Sequence, residues 1–201
     1  MSTDQPDPDA PAGDEDTSAL LFGKWETEGI EYRDVSTERY IKVTPIANTM
    51  GRHADKQFKK SEISIVERLI NRLMQTDENT GKKQLATRIT REAFDIIHDR
   101  TGENPIQILV RAVENSAPRE ETVRLKYGGI SVPQAVDVSP QRRVDQALKF
   151  IAEGVLSDSF KSDTDAASAL ASQLMGAANN DVGTYAVDQK EEKERVAAAA
   201  R

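Results

Sequence analysis

The sequence contains no cysteine, which excludes disulfide bonds, thiolate zinc sites and cysteine nucleophiles. Long hydrophobic runs are also absent: no stretch approaches the ~18 consecutive apolar residues that a membrane-spanning helix requires, so we expect no membrane partner. The opening residues, Met1-Ser2-Thr3-Asp4, carry neither a basic start nor an apolar stretch, and no secretory signal is expected. Aromatic residues make up only 5% of the chain, which argues against a β-sheet platform for base stacking.

The sequence patterns of common enzymes are missing as well. The two histidines, His53 and His98, lie far apart and outside any His-Glu-x-x-His pattern, so we interpret each as a surface or packing residue. Gly81-Lys82 lacks the upstream glycine of a phosphate-binding loop, and there is no Gly-x-Ser-x-Gly elbow. We therefore expect a protein that is not an enzyme, with no catalytic residue, no metal site and no cofactor.

What the sequence does contain is an uneven charge distribution. Lys and Arg number 27 and Asp and Glu number 34 in 201 residues, for a formal net charge of −7. Residues 1–34 carry −8, residues 35–150 carry +5 and residues 151–201 carry −4. A basic middle between acidic ends indicates a partner more reliably than the total charge does.

The acidic N-terminal end is predicted to lack structure. Residues 1–19 are rich in Asp, Pro, Ser, Thr and Gly and contain six acids and no base. Such a segment cannot bury enough apolar surface to offset its ordering entropy. We predict a disordered acidic tail over residues 1–19 and a single helical domain over residues 20–201, a length that suits one domain.

Helical periodicity dominates the rest of the chain. Ser61 is placed to cap a helix whose apolar stripe includes Val66 and Leu69. Asn104-Pro105 and Ser139-Pro140 each combine a capping side chain with a proline suited to the first helical position. The predicted helices start near Ser61, Lys83, Asn104, Ser139, Asp163 or Thr164, and Asp188, the second running to about His98 and the last to about Ala200.

One segment has the pattern of a β-hairpin. Two strand-like runs, Thr122 to Tyr127 and Ile130 to Val138, flank Gly128-Gly129, which is typical of a two-residue turn. This register places Leu125 opposite Val132 on an apolar face. Because an isolated hairpin is marginal in water, we expect the arm, at about residues 119–138, to lean on the helices or a partner, or to project. The predicted fold is mainly α, a bundle of about six helices with a projecting two-stranded β-ribbon.

Basic residues gather in four clusters along the middle of the chain. They are Arg52, Lys56, Lys59 and Lys60 before the first predicted helix; Lys82, Lys83, Arg88 and Arg91 on the second; Arg119, Arg124 and Lys126 on the ribbon; and Arg142 and Arg143 after it. Several separated clusters are better suited to binding a large folded RNA than to binding a single groove of a DNA duplex. A helix-turn-helix DNA binder remains open at this point, as does a helical protein–protein adaptor with a docking arm.

The fourth cluster is the most informative. If Ser139 caps a helix, Arg142 and Arg143 occupy its first turn, where the helix dipole disfavours positive charge. A helix N-terminus is an anion site, and arginine offers a planar fork for bidentate phosphate contacts. The position of both arginines is therefore explained if the ligand is a polyanion.

Longer stretches of the chain resemble a known family, ribosomal protein seven of the small subunit. The resemblance rests on Gly102-Glu103-Asn104-Pro105, on residues 111–120 and 134–143, and on residues 65–69 with Gly81-Lys82-Lys83. Phe22-Gly23-Lys24-Trp25 and Lys193-Glu194-Arg195-Val196 are similar to the archaeal and eukaryotic branch of this family. Most members are basic, so the acidic net charge is typical of a salt-adapted archaeal version.

The resemblance implies a cytoplasmic protein of the small ribosomal subunit. It implies direct binding to the 3′ major domain of small-subunit ribosomal RNA, nucleation of head assembly, and a position near exit-site tRNA and mRNA, beside small-subunit ribosomal protein eleven. The RNA-binding residues it suggests by motif are Arg52, Lys56, Lys59, Lys60, Lys82, Lys83, Arg142 and Arg143. The clusters add Arg88, Arg119, Arg124 and Lys126 to the expected contacts.

Overall fold

The computed structural model describes residues 20–51, 53, 55–74, 77 and 79–201. The predicted tail at residues 1–19 and the candidate contact Arg52 lie outside the described residues. Within the described part, no helix combines the length and the apolar character needed to cross a membrane.

The described chain is mainly helical, with one two-stranded antiparallel ribbon, which confirms the predicted fold class. In chain order the elements are α1 (Val35–Glu38), α2 (Ile65–Leu73), α3 (Lys83–Thr101), α4 (Pro105–Ser116), β1 (Glu120–Tyr127), β2 (Ile130–Asp137), α5 (Pro140–Ser159), α6 (Ala166–Ala178) and α7 (Tyr185–Ala199). A 3₁₀ turn, Lys59–Glu62, precedes α2.

Helix α4 lies at the centre of the core and packs against α3, α5 and α6. Its apolar residues, among them Ile106, Leu109 and Val113, are fully buried. Phe94 of α3 and Leu170 of α6 are equally buried in the same cluster. Each fully buried side chain of this size contributes about 1.5–3 kcal/mol to the stability of the fold. The contiguous cluster therefore holds the helices, and the residues on their outer faces, in fixed positions.

Two predicted helix starts are confirmed. Asn104 caps α4, its side-chain oxygen accepting a 3.0 Å hydrogen bond from the backbone N–H of Ile106, with Pro105 at the first position. Helix α5 begins after Ser139 with Pro140 at its start, although the Ser139 side chain makes no capping hydrogen bond.

The other starts differ from the prediction by a few residues. Ser61 does not cap α2: its N–H donates to the carbonyl of Phe58 at 3.0 Å inside the 3₁₀ turn, and Ser64 precedes the helix instead. Helix α6 is capped by Asp165 rather than by Asp163 or Thr164. Helix α7 starts at Tyr185 instead of Asp188, because Ala186 and Val187 are fully buried and extend the packed face.

The ribbon has the predicted register, with Leu125 opposite Val132 and Arg124 opposite Pro133. Its base leans on α7, where Glu194 accepts a 2.8 Å hydrogen bond from the backbone N–H of Arg119. Towards the turn the side chains of Ile130 and Val132 are exposed. The arm therefore both leans on the helices and projects beyond them.

The N-terminal segment, residues 20–51, is irregular apart from α1 and covers part of the helical body. Helical periodicity gave no prediction for it. Leu21 is fully buried, and the Phe22 ring meets the Phe94 ring edge-on at 6.3 Å between centroids. Further along, Glu114 of α4 accepts hydrogen bonds from the backbone N–H groups of Arg33 and Asp34, at 3.0 and 3.2 Å. This segment brings additional charged residues to the surface of the bundle.

Candidate nucleic-acid interface

Asp145 of α5 is the point at which several basic segments meet. Its carboxylate pairs with Lys60 and accepts a 2.9 Å hydrogen bond from Nη2 of Arg68, and its backbone carbonyl accepts one from Arg72 at 3.3 Å. Burial lowers the pKa of Arg68, and the ion pair with Asp145 partly offsets that effect. The 3₁₀ turn, α2 and α5 are thereby fixed to one another.

The adjacent lysines Lys82 and Lys83 lie in different environments. Lys83 donates at 2.6 Å to Glu67, whose side chain is only 3% exposed and which also accepts from the backbone N–H of Thr49. Lys82 is exposed and lines a cavity of about 360 Å³ together with Arg72 and Lys149. Lys83 therefore stabilises the fold, and Lys82 is free to meet a ligand.

The two arginines of the first turn of α5, both predicted to contact RNA, also differ in their environments. The Arg142 side chain is 59% exposed, and its guanidinium pairs with Glu121 of β1 at 2.7 Å. Arg143 is only 6% exposed; it pairs with Asp34 at 2.8 Å and donates to the Ser36 hydroxyl at 2.5 Å. Arg143 is therefore held in the protein interior by contacts within the chain.

The carboxylates that hold these arginines have low pKa values. Burial raises the pKa of Asp34, but hydrogen bonds from Ser36 and Arg143 outweigh it, and the net pKa lies below the ordinary value. Burial likewise raises the pKa of Glu121, while hydrogen bonds from Arg142 and Gln146 reverse the effect. Both groups are therefore ionised at neutral pH and keep the arginines in place.

Four of the remaining candidates, on the ribbon and on α3, are exposed. Arg124 and Lys126 lie on the same face of β1, opposite Pro133 and Ser131. The side chain of Arg119 is exposed at the base of the ribbon. Arg88 lies on α3 and has Glu92 at 3.9 Å one turn later.

One face of α5 connects the clusters. Arg142, Asp145 and Lys149 are spaced three and four residues apart and therefore share this face. Arg142 reaches the ribbon, Asp145 holds the 3₁₀ turn, and Lys149 lines the cavity with Lys82. The ribbon, the 3₁₀ turn and the start of α3, which are separate in the sequence, are thus reached from one face of a single helix.

Two further cations belong to this surface and were missed by the sequence patterns. Arg39 and Lys42 lie beside Lys56, Phe58 and Lys59 along a groove of about 620 Å³, hereafter the Phe58 groove. Their local sequence, Arg-Tyr-Ile-Lys, contains no feature that distinguishes them from ordinary surface residues. Lys149 was also missed, although its position seven residues after Arg142 is a signal that helical periodicity offers.

The described residues offer no alternative metal chemistry. Across residues 20–51, 53, 55–74, 77 and 79–201, no group of three or more His, Asp and Glu side chains could hold a metal ion.

Comparison with known proteins identifies the family. The family model described as "Ribosomal protein S7p/S5e" matches residues 36–201. The chain belongs to this family. It is 76% identical over 98% of both chains to the "Small ribosomal subunit protein uS7" of Haloarcula marismortui, and 73% identical over 100% of both chains to that of Natronomonas pharaonis. A methanogen relative, from Methanothrix thermoacetophila, is 56% identical over 90% of this chain and 99% of its own length.

Membership of the S7p/S5e family confirms the resemblance inferred from the motifs. High identity to proteins of halophilic archaea confirms the interpretation of the acidic composition as that of a salt-adapted archaeal member. Because the family consists of structural ribosomal proteins, membership also confirms that the chain is not an enzyme. The chemistry to explain is therefore recognition, not reaction.

Proposed function

We propose that this chain is a structural component of the small ribosomal subunit that binds the 3′ major domain of small-subunit ribosomal RNA and nucleates assembly of the subunit head. The proposal places it in the cytoplasm, near the tRNA exit site and the mRNA path, with small-subunit ribosomal protein eleven as a neighbour. One observation supports the RNA-binding role: in a member of the S7p/S5e family, a single face of α5 reaches the ribbon, the lysine-bearing 3₁₀ turn and the cavity that Lys82 lines.

The mechanism is positioning by phosphate contacts. Exposed cations such as Lys82, Arg124 and Arg142 neutralise phosphates and release counterions, which supplies affinity without reading the sequence. The rigid core holds the clusters at fixed distances, so only an RNA whose backbones lie at matching positions can engage them together. The proposed contact set is completed by Lys56, Lys59, Lys60, Arg88, Arg119 and Lys126. Arg143 and Lys83 stabilise the fold that positions these residues.

The test is binding of the full chain, in molar KCl, to a transcript of the 3′ major domain, with a transcript of the 5′ domain as control RNA. We expect preference for the 3′ major domain and co-sedimentation with small subunits through a high-salt wash. Equal binding to both transcripts would contradict the proposal. A partner captured through a contact that resists nuclease would instead support the protein–protein adaptor.

A charge-reversal pair locates the interface. Arg142→Glu is expected to weaken binding of the transcript at least tenfold, because it removes one phosphate contact and adds a repulsive charge. Lys161→Glu is the matched control: Lys161 is exposed just beyond the other end of α5, about 28 Å away at 1.5 Å per residue. Equal losses in both variants would show that net charge, not this surface, determines binding.

A further inference from the structure

Phe58 is an apolar side chain held at the surface in an unfavourable backbone conformation. Its side chain is 56% exposed, and its backbone has φ 65° and ψ −2°, a left-handed conformation that bulky residues rarely adopt. Its carbonyl accepts from both the N–H and the hydroxyl of Ser61, which closes the 3₁₀ turn. Strain of this kind persists where the surroundings impose it, and it concentrates at ligand clamps.

The Phe58 groove has two rigid walls. On one side, the backbone of residues 39–42 is held by Arg68, which donates to the carbonyl of Tyr40 at 2.7 Å, and by the N–H of Ile65, which donates to the carbonyl of Lys42 at 2.7 Å. On the other side, the 3₁₀ turn is fixed through Lys60 to Asp145. Since Arg68 also pairs with Asp145, both walls are anchored to the same carboxylate.

The charge of the groove is strongly positive. Arg39, Lys42, Lys56 and Lys59 line it, and Glu62 is the carboxylate that lines it with them. Within the part of the chain that the structure describes, none of these four cations forms an ion pair. Such a groove attracts a polyanion, and its exposed aromatic ring provides an apolar surface that phosphate alone does not use.

We propose that the Phe58 groove binds an unpaired nucleotide of a folded RNA, its base stacked on the Phe58 ring and its flanking phosphates held by Arg39, Lys42, Lys56 and Lys59. The volume of about 620 Å³ falls within the ~300–1,000 Å³ typical of small-ligand sites. A base inside a duplex cannot expose its face to the ring, so the ligand is a bulged or looped nucleotide. That this RNA is ribosomal rests on the proposed function. The stacking of a base on Phe58 rests on the groove itself and not on that function.

The experiment compares three single variants of the full chain. Phe58→Leu keeps an apolar side chain and removes the ring, whereas Phe58→Tyr keeps the ring. Phe160→Leu is the matched control, because Phe160 is also 56% exposed but lies at the end of α5. Binding is measured to the 3′ major domain transcript and to a single-stranded uridine dodecamer, over a series of salt concentrations.

We expect Phe58→Leu to weaken binding to both RNAs about tenfold, as loss of one aromatic–base stack does. The salt dependence should not change, because the cations remain. Phe58→Tyr and Phe160→Leu should stay within about twofold of the parent chain. Ultraviolet crosslinking followed by mass spectrometry should place a nucleotide adduct on the peptide that contains Phe58.

Two results would overturn the stacking site: binding by Phe58→Leu within twofold of the parent chain, or equal losses in Phe58→Leu and Phe58→Tyr. A different result would refute the proposed function: the parent chain would show no preference for the 3′ major domain transcript. In that case the contrast between the Leu and Tyr variants on the uridine dodecamer still decides whether the groove stacks a base. A Phe58→Leu loss confined to a protein partner would also refute the nucleotide assignment.

Discussion

Replacing Arg143 should reduce stability far more than replacing its neighbour Arg142. Arg143→Gln leaves Asp34 without its ion-pair partner in a site where the arginine is 6% exposed. Removal of one partner from a buried pair costs about 3–5 kcal/mol. The Asp34 side chain is 22% exposed and keeps its hydrogen bond from Ser36, so water reaches it and the lower end, about 3 kcal/mol, is expected.

Arg142→Gln is the matched control on the same helix turn. Its side chain is 59% exposed, and its ion pair with Glu121 is of the surface kind, which contributes about 0–1 kcal/mol. RNA affinity should show the opposite order: Arg142→Gln should weaken binding, whereas Arg143→Gln, measured where it is still folded, should leave it within about twofold.

The assay is urea unfolding at a fixed molar KCl concentration, followed by circular dichroism, with the double-mutant cycle of Asp34→Asn and Arg143→Gln. Residues in direct contact couple by about 0.5–3 kcal/mol, and we expect a value in the upper half of this range. If the two arginine variants lost equal stability, or if Arg143→Gln lowered RNA affinity while unfolding at the parent's midpoint, the assignment of Arg143 to the interior would be refuted.

Three further outcomes are expected. The pKa of Asp34 is lowered in the folded chain, so ionised Asp34 stabilises the fold at pH values above the ordinary pKa of an aspartate. This stabilisation is lost as pH falls through the lowered pKa, and Asp34→Asn should therefore flatten the decline of the urea midpoint below about pH 4. Deletion of residues 1–19 should tighten RNA binding at low salt and change it little at molar salt, where charge repulsion is screened. Equal effects at the two salt concentrations would contradict this explanation. Gly102 ends α3 at φ +69°, so Gly102→Ala should cost about 1 kcal/mol in urea unfolding and Gly102→Asn less.

Local signals were sufficient for the long helices and the ribbon, but not for α1 or the 3₁₀ turn. Asn104-Pro105 contains both the cap and the first residue of α4, and the cap forms as expected. Gly128-Gly129, between two strand-like runs, fixes the ribbon register because a two-residue turn leaves one pairing. The start of α2 was misplaced since Ser61 and Ser64 are both capable caps, and only the packing of Ile65 decides between them.

The candidate site could be predicted only in part, because its charge pairs join distant residues. Lys60 and Asp145 are 85 positions apart, and Arg143 and Asp34 are 109 apart. Helical spacing places Arg143 on the face of Ala147 and Phe150, and Arg142 on the face of Asp145 and Lys149. Nothing in the local sequence, however, identifies Asp34 as the partner of Arg143. Composition identified where cations are abundant, but tertiary contacts determine which of them remain free.

These contacts also explain how a chain of net charge −7 can present a cationic surface. Some acidic residues of the two negatively charged end segments are already engaged within the protein. Asp34 forms an ion pair with Arg143, and Glu194 accepts a hydrogen bond from the backbone N–H of Arg119. At about 1 M salt the Debye length is about 3 Å, so the remaining acids cannot repel RNA from a distance, while cations in direct contact with phosphate still bind. We therefore expect net charge to govern the hydration of this protein, and the local arrangement of cations along α5 to govern its binding of RNA.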